Sequence, residues 1–315
     1  MRHVWIGVAV FAAVGLMGTA ASAGKRIGML LFAKELRYSE AQERTVVVLR
    51  AAGYTEPDTT YIVESADGNK TKAFELAKKL CGLHFDLIVT FGTSATVPVA
   101  KECPGTPLVF SYVYDPLEAN IAASWNSSGN NTTGVSNKVA MTTVLAPLKK
   151  IGPIKTLAVL YTPGEKNSES QLKDLQHAQT DVGIKMVAVP ITNAAEVRPL
   201  VTEAAEGNDA IYITGAGFLD GQLSTIVDAA SKAGKPTLSH LEDATMQGVL
   251  FSVGVDRLAV GDKTGQLAAR VLKGEKPASI PIVVPEKINV TLNTKTAKAY
   301  KLPNEFLSLV TKRVE

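Results

Sequence analysis

Cysteine is almost absent from this chain, with two in 315 residues. That excludes a disulfide-dense scaffold, and the isolated placement of Cys81 and Cys103 excludes a zinc ribbon or finger. Histidine is scarce too, at four, with no His-Glu-x-x-His pair, so no metal site is expected. Neither charge dominates: 33 Lys and Arg face 30 Asp and Glu, a formal net charge of +3. The signs are interspersed, leaving no basic stripe for nucleic acid. No Gly-x-Ser-x-Gly elbow and no Gly-x-x-x-x-Gly-Lys-Ser/Thr phosphate loop is present. Catalysis has no visible home.

A long hydrophobic run occurs once, from Val4 to Met17, and it is shorter than the roughly 20 residues of a comfortable membrane span. Met1-Arg2-His3 precedes it and Ala21-Ser22-Ala23 closes it as small-x-small. This is the layout of a secretory signal peptide, residues 1–23, cut after Ala23. The alternative is a retained N-terminal anchor, although no second apolar segment follows. No cysteine follows the run to carry a lipid. A soluble, exported, periplasmic protein is therefore expected.

The remaining 24–315 is long for one core and suggests two lobes. Val-, Ile- and Leu-rich runs alternate with amphipathic stretches. Strands are expected at 25–31, 60–64, 87–91 and 108–112, with helices over 40–52, 70–80 and 95–101. The strands are continuous apolar blocks, the mark of parallel strands covered on both faces, and hence of a doubly wound α/β layer. A polar segment, Trp125–Ser136, breaks the rhythm. The alternation then restarts as helix 142–150, strand 156–161, helix 169–180, strand 185–189, helix 196–205, strand 210–213, helix 224–233 and strand 236–239. After 249–253 come helix 260–272, an extended Pro277–Pro285, strand 287–292 and helix 296–301. The expected division is 24–136 plus 254–278 for the first lobe and 137–253 plus 279–315 for the second. Several crossings between them would make a hinge.

Cys81 and Cys103 each end a predicted helix, and right-handed crossovers bring those ends to one edge of the sheet. A disulfide and two separate thiols both remain open.

Open α/β sheets bind ligands at the carboxyl ends of their strands. Those loops hold Phe32, Tyr38, Tyr114 and Phe218 as candidate apolar walls, and Thr93 and Ser94 at a helix start that suits an anion. Across the gap, Thr162, Asn167 and Ser168 hold the matching position, and each of these could equally be a plain helix cap. Asp115 and Asp256 are candidates for a ligand amine or hydroxyl, with a turn role ahead of Pro116 as the alternative for Asp115. His240 stands at the end of its strand as a polar wall. Gly217 lies in Thr214–Gly221, a loose glycine fingerprint whose spacing departs from Gly-x-Gly-x-x-Gly, so no cofactor is expected.

These stretches resemble a known family. Phe85-Asp86-Leu87-Ile88-Val89 through Thr93-Ser94-Ala95, Pro107–Phe110 and Asp115-Pro116 are similar to the exported substrate-binding components of ABC importers. Thr132-Thr133-Gly134-Val135-Ser136, Tyr161–Ser168 and Gly254-Val255-Asp256 fit the branch that includes tryptophan and other amino-acid-binding members. The resemblance spans 24–315 and implies a type I periplasmic-binding fold. It implies a monomer, not an enzyme, that captures a small solute, amino-acid-like or carboxylate-bearing, and delivers it to an ABC permease with its cytoplasmic ATPase. A sensor presenting the solute to a membrane receptor is the alternative. The chain departs from that branch at Glu35-Leu36, Gly215-Ala216-Gly217 and Leu241, all in candidate contact loops. Fold and role carry over at these positions; the solute does not.

Overall fold

The computed structural model describes residues 24–315, so the expected signal peptide lies outside the described residues. The first sheet holds β1 (Lys25–Leu31), β2 (Thr59–Ser65), β3 (Leu87–Phe91), β4 (Leu108–Val113) and β5 (Thr132–Ser136), in the order β2-β1-β3-β4-β5. Every pairing in it is parallel. The connecting helices are α1 (Leu36–Ala51), α2 (Lys70–Cys81) and α3 (Thr93–Glu102). Every residue of β3 and β4 is buried, which is why both read as unbroken apolar runs.

The second lobe opens with α4 (Met141–Leu145), β6 (Thr156–Tyr161), α5 (Lys166–Val182), β7 (Lys185–Pro190) and α6 (Ala194–Gly207). It continues through β8 (Ala210–Ile213), α7 (Gly217–Asp220), α8 (Leu223–Lys232), β9 (Thr237–Ser239), α9 (Glu242–Met246) and β10 (Phe251–Val255). After α10 (Arg257–Leu272) the chain ends with β11 (Ile288–Asn293), α11 (Thr294–Ala297), α12 (Asn304–Leu307) and β12 (Lys312–Val314). The sheet order is β12-β11-β10-β9-β8-β6-β7, and only the β10–β11 pair is antiparallel. Short polar side chains set several helix starts: Asn69, Asn193 and Asp256 each accept a hydrogen bond from a first-turn amide.

The chain passes between the sheets three times. It leaves the first after β5, returns after β10 and leaves again before β11. On its return it forms α10, which packs along α1 through two glycines. A Cβ on Gly261 would lie 2.9 Å from the Ala41 Cα, and one on Gly265 would lie 2.6 Å from the Val48 Cβ. The crossings differ from the sequence expectation. Gly254 and Val255 still pair with β11 in the second sheet. The Val283 amide donates to the Gly134 carbonyl at 3.0 Å and Thr133 Oγ1 donates to Ile280 O at 2.9 Å. Residues 280–283 therefore stay with β5, and the last crossing falls after them.

Three local expectations are corrected. The polar segment ends in a strand, β5. Its Gly134 lies where a Cβ would be 2.3 Å from the Phe110 carbonyl oxygen, so small residues replace the usual apolar run. The expected 142–150 helix stops at Leu145, and Pro147 leads into a separate 3-10 turn, Leu148–Lys150. The tail adds α12 and β12, which the sequence pattern did not reveal. Cys81 and Cys103 are bonded, with Cα atoms 5.3 Å apart, tying the end of α2 to the end of α3. Among the described residues no helix is long and apolar enough to cross a membrane.

Candidate functional site

The loops at the carboxyl ends of the two sheets meet face to face. From the first lobe come the turn after β1 leading into α1, and the segment after β4. From the second come the loops after β6, β8 and β9. Arg37, Tyr38, Tyr112 and Tyr114 face Asn167, Gln171, Gly215 and His240 across about 10 Å³ of free space, with Asn137 from the first crossing beside them. The rims are shut upon each other.

Tyr112 owes its position to backbone irregularity. Its φ is +56°, in the left-handed region, where the β4–β5 register shifts between Ser111 and Val113. A bulky residue rarely adopts that conformation, and such irregularities re-aim a side chain at functional sites. The Tyr112 ring meets Tyr38 edge-on at 5.9 Å.

Arg37 links the lobes. Its guanidinium donates to Asp243 Oδ2 at 2.9 Å and to Asp220, all three being buried, and it lies 4.6 Å from the Tyr38 ring centre. Burial works against the Arg37 charge, but Asp220 and Asp243 outweigh it and raise the group further. Burial pushes the Asp220 carboxyl up to about 7, with Asp243 and Glu35 adding to the rise and Arg37 opposing it. Glu35 is raised as well, chiefly by burial. Loss of solvent takes His240 down to about 3, so the ring is neutral. Its Nδ1 faces the Tyr212 hydroxyl at 3.1 Å and its Nε2 faces the Asn137 amide at 3.3 Å.

Several buried polar atoms on these rims have no partner: Glu35 Oε2, Thr93 Oγ1, Asn137 Oδ1, Thr162 Oγ1, Asn167 Oδ1 and Asp243 Oδ1. Leaving one such atom unsatisfied costs about 1–3 kcal/mol. Buried polar groups are ordinarily hydrogen-bonded, and a molecule touching both rims would supply the missing bonds.

Of the residues singled out from sequence, Tyr38, Tyr114, Asn167 and His240 line the enclosed space. Phe32 and Gly217 meet across the rims: a Cβ on Gly217 would be 2.6 Å from the Phe32 ring. Thr162 stands at the rim with its hydroxyl unpartnered. Thr93 and Ser94 line a neighbouring open cavity of about 310 Å³ beside Lys70, Lys101 and Lys166.

Four candidates are placed elsewhere. Ser168 Oγ accepts from the Thr162 amide at 2.9 Å and pairs with Thr214 at 2.7 Å, which shapes the loop from within the second lobe. Asp115 accepts from the Leu117 and Glu118 amides and pairs with Lys138 at 2.6 Å. Burial favours the neutral Asp115, yet the Lys138 bond prevails and holds it below the usual range. Asp256 caps α10 and binds Lys287 at 2.7 Å, outside the enclosed space. Phe218 packs on the apolar cluster of the second lobe. Local hydrogen bonds, capping and ion pairing have engaged the three polar ones.

Sequence reasoning did not single out Arg37, Tyr112, Asn137, Gln171, Asp220 or Asp243. Arg37 and Asp243 fall inside loops flagged from the strand ends; Asn137 follows the unrecognised β5.

Two parallel-sheet lobes, crossed three times by the chain and shut over a polar cleft, make this a type I periplasmic-binding fold. The chain belongs to the ABC transporter substrate binding protein family, which it matches over residues 42–312. Members of that family bind substrates rather than transform them, so the protein is not an enzyme. They bind small solutes and work with ABC permease systems. A tyrosine-binding protein of Clostridioides difficile (strain R20291) is 24% identical over 277 residues, 87% of this chain and 80% of that protein. Among solved structures, an ABC domain in complex with L-Trp from Streptococcus pneumonia has a TM-score of 0.87 at 24% identity, covering 92% of this chain and 100% of that one. A ligand-free, open substrate-binding protein with adhesive properties from Clostridium difficile has a TM-score of 0.73 at 21% identity, covering 92% and 99%.

Proposed function

We propose that this protein is the periplasmic solute-binding component of an ABC importer, exported by a signal peptide cut after Ala23. It acts as a monomer, closes its two lobes over a small polar solute, and delivers it to a permease driven by a cytoplasmic ATPase. The observation that carries this reading is the set of unpartnered buried polar atoms divided between the facing rims. The relatives described as binding tyrosine and L-Trp support an amino-acid-like solute. Closure follows because a solute that touches both rims favours the shut form over any open one.

Thermal unfolding of the 24–315 protein against a broad metabolite panel tests solute capture. A true solute at 100 times its Kd adds about 2.7 kcal/mol of stability, a clear rise in melting temperature. Melting that stays flat across amino acids, amines, carboxylates and polyols would defeat the reading.

A further inference from the structure

Resting on the solute-capture reading, we propose that the cleft recognises its solute by a protonated amine.

The charge balance around Arg37 is one-sided. Glu35, Asp220 and Asp243 gather near the Arg37 guanidinium, and both of its terminal nitrogens are engaged by Asp220 and Asp243. Asp243 is 2% exposed; its Oδ2 accepts from Arg37 and its Oδ1 accepts from nothing. Glu35 Oε2 is likewise buried and unpartnered. Glu35, Asp220 and Asp243 also line an open cavity of about 480 Å³ together with Lys34 and Asp67, and Arg37, bonded to Asp220 and Asp243, lines the enclosed space.

The neutral lining has the same bias. Asn167 donates its amide to the Gly215 carbonyl, which leaves its Oδ1 free to accept. His240 is flanked on both ring nitrogens, by Tyr212 and Asn137. Lys138 is held between Asp115 and Asp174, at 2.6 and 2.8 Å. The unpartnered buried atoms of Glu35, Asp243 and Asn167 are acceptors, two of them carboxylate oxygens. An ammonium carries three donors and no acceptor, which matches them. The Tyr38, Tyr112 and Tyr114 rings of the lining suit a cation further. A metal is a poor alternative, since among the described residues no three His, Cys, Asp or Glu side chains are placed to hold one.

Lys70, Lys101 and Lys166 line the separate cavity of Thr93 and Ser94, which would be the first contact if a carboxylate led recognition. The two possibilities separate cleanly in calorimetry and thermal shift on the 24–315 protein. The panel contains tyramine, agmatine and putrescine as amines; 4-hydroxyphenylacetate and succinate as carboxylates; the standard amino acids; and myo-inositol and ribitol. Any amino acid that binds is followed by its decarboxylated amine. The expected result is binding by at least one carboxylate-free amine, weakened about tenfold or more by Asp243→Asn, the loss of a charge-assisted bond. Glu35→Gln gives the same direction and removes a half-exposed group, so it serves if Asp243→Asn does not fold. Binding by carboxylates or polyols alone, or by amino acids whose amines fail, overturns the amine assignment and leaves solute capture standing. Undiminished amine binding in a folded Asp243→Asn and in Glu35→Gln overturns it too. No binding by any compound overturns both.

Discussion

Asp220 and His240 sit in one buried cleft and pull stability in opposite directions. Burial lifts Asp220 from 3.8 to about 7, so the folded chain keeps a proton that the unfolded chain releases. That contribution is complete at low pH, below 3.8, and is lost as pH rises through 7. His240 drops from 6.5 to about 3, so its contribution is present above 6.5 and lost as pH falls toward 3. Between 3.8 and 6.5 the two offset each other. The melting temperature of Asp220→Asn should therefore fall as buffer is acidified from about pH 7 to 4, and that of His240→Gln should rise over the same range. Two variants with the same slope would refute the assignment. These residues were unequally legible. His240 stood out as a lone polar group at a strand end, whereas Asp220 gains meaning only from Arg37, far away in sequence and opposite it in space.

At the scale of elements, α1 and α10 approach each other closely through Gly261 and Gly265. Gly265→Val would drive a branched side chain into Val48, where even a Cβ comes within 2.6 Å. Overpacking of this kind costs about 1–3 kcal/mol, readable as a lower urea midpoint with an unchanged slope. A midpoint at the wild-type value would mean that α10 shifts freely on α1. Nothing in the sequence marks these glycines as a contact, because their partners lie over 200 positions earlier. Most strands were legible, because β1, β3, β4, β6 and β8 are buried on both faces and advertise it as continuous apolar runs. The strand β5 was not, since its five residues are all buried yet its Thr-Thr-Gly-Val-Ser composition, small where Phe110 crowds it, makes no apolar run. The start of α1 was clipped for a similar reason: Arg37 and Tyr38 are buried in the cleft, so its first turn follows the site's chemistry rather than helix periodicity.

At the scale of the molecule, Arg37 is the charged bolt between the halves. Arg37→Met would leave Asp220 and Asp243 buried without a counter-ion in the shut form, a penalty of about 3–5 kcal/mol. The variant should favour separated lobes, seen as a larger radius of gyration in small-angle scattering without solute. An unchanged radius would show that other interlobe contacts, such as Tyr114 to Asp174 at 2.8 Å and Lys70 to the Gly164 carbonyl at 3.0 Å, suffice alone. The two-lobe plan was readable from the restarted alternation, and the cleft from the strand-end loops. The crossing points were less so, because Gly254-Val255 and 280–283 take their places from neighbouring strands rather than from their own composition.

The threefold passage of the chain has a bearing on how the protein is made. The half that begins at Lys25 receives α10 and residues 280–283 as its last parts, after nearly the whole second half has been translated. A nascent chain cut short anywhere before α10 therefore lacks a wall for α1 and the outer neighbour of β5. Neither half is a self-sufficient product of its own stretch of message: the opening half awaits α10 and residues 280–283, and the other awaits β11 and β12.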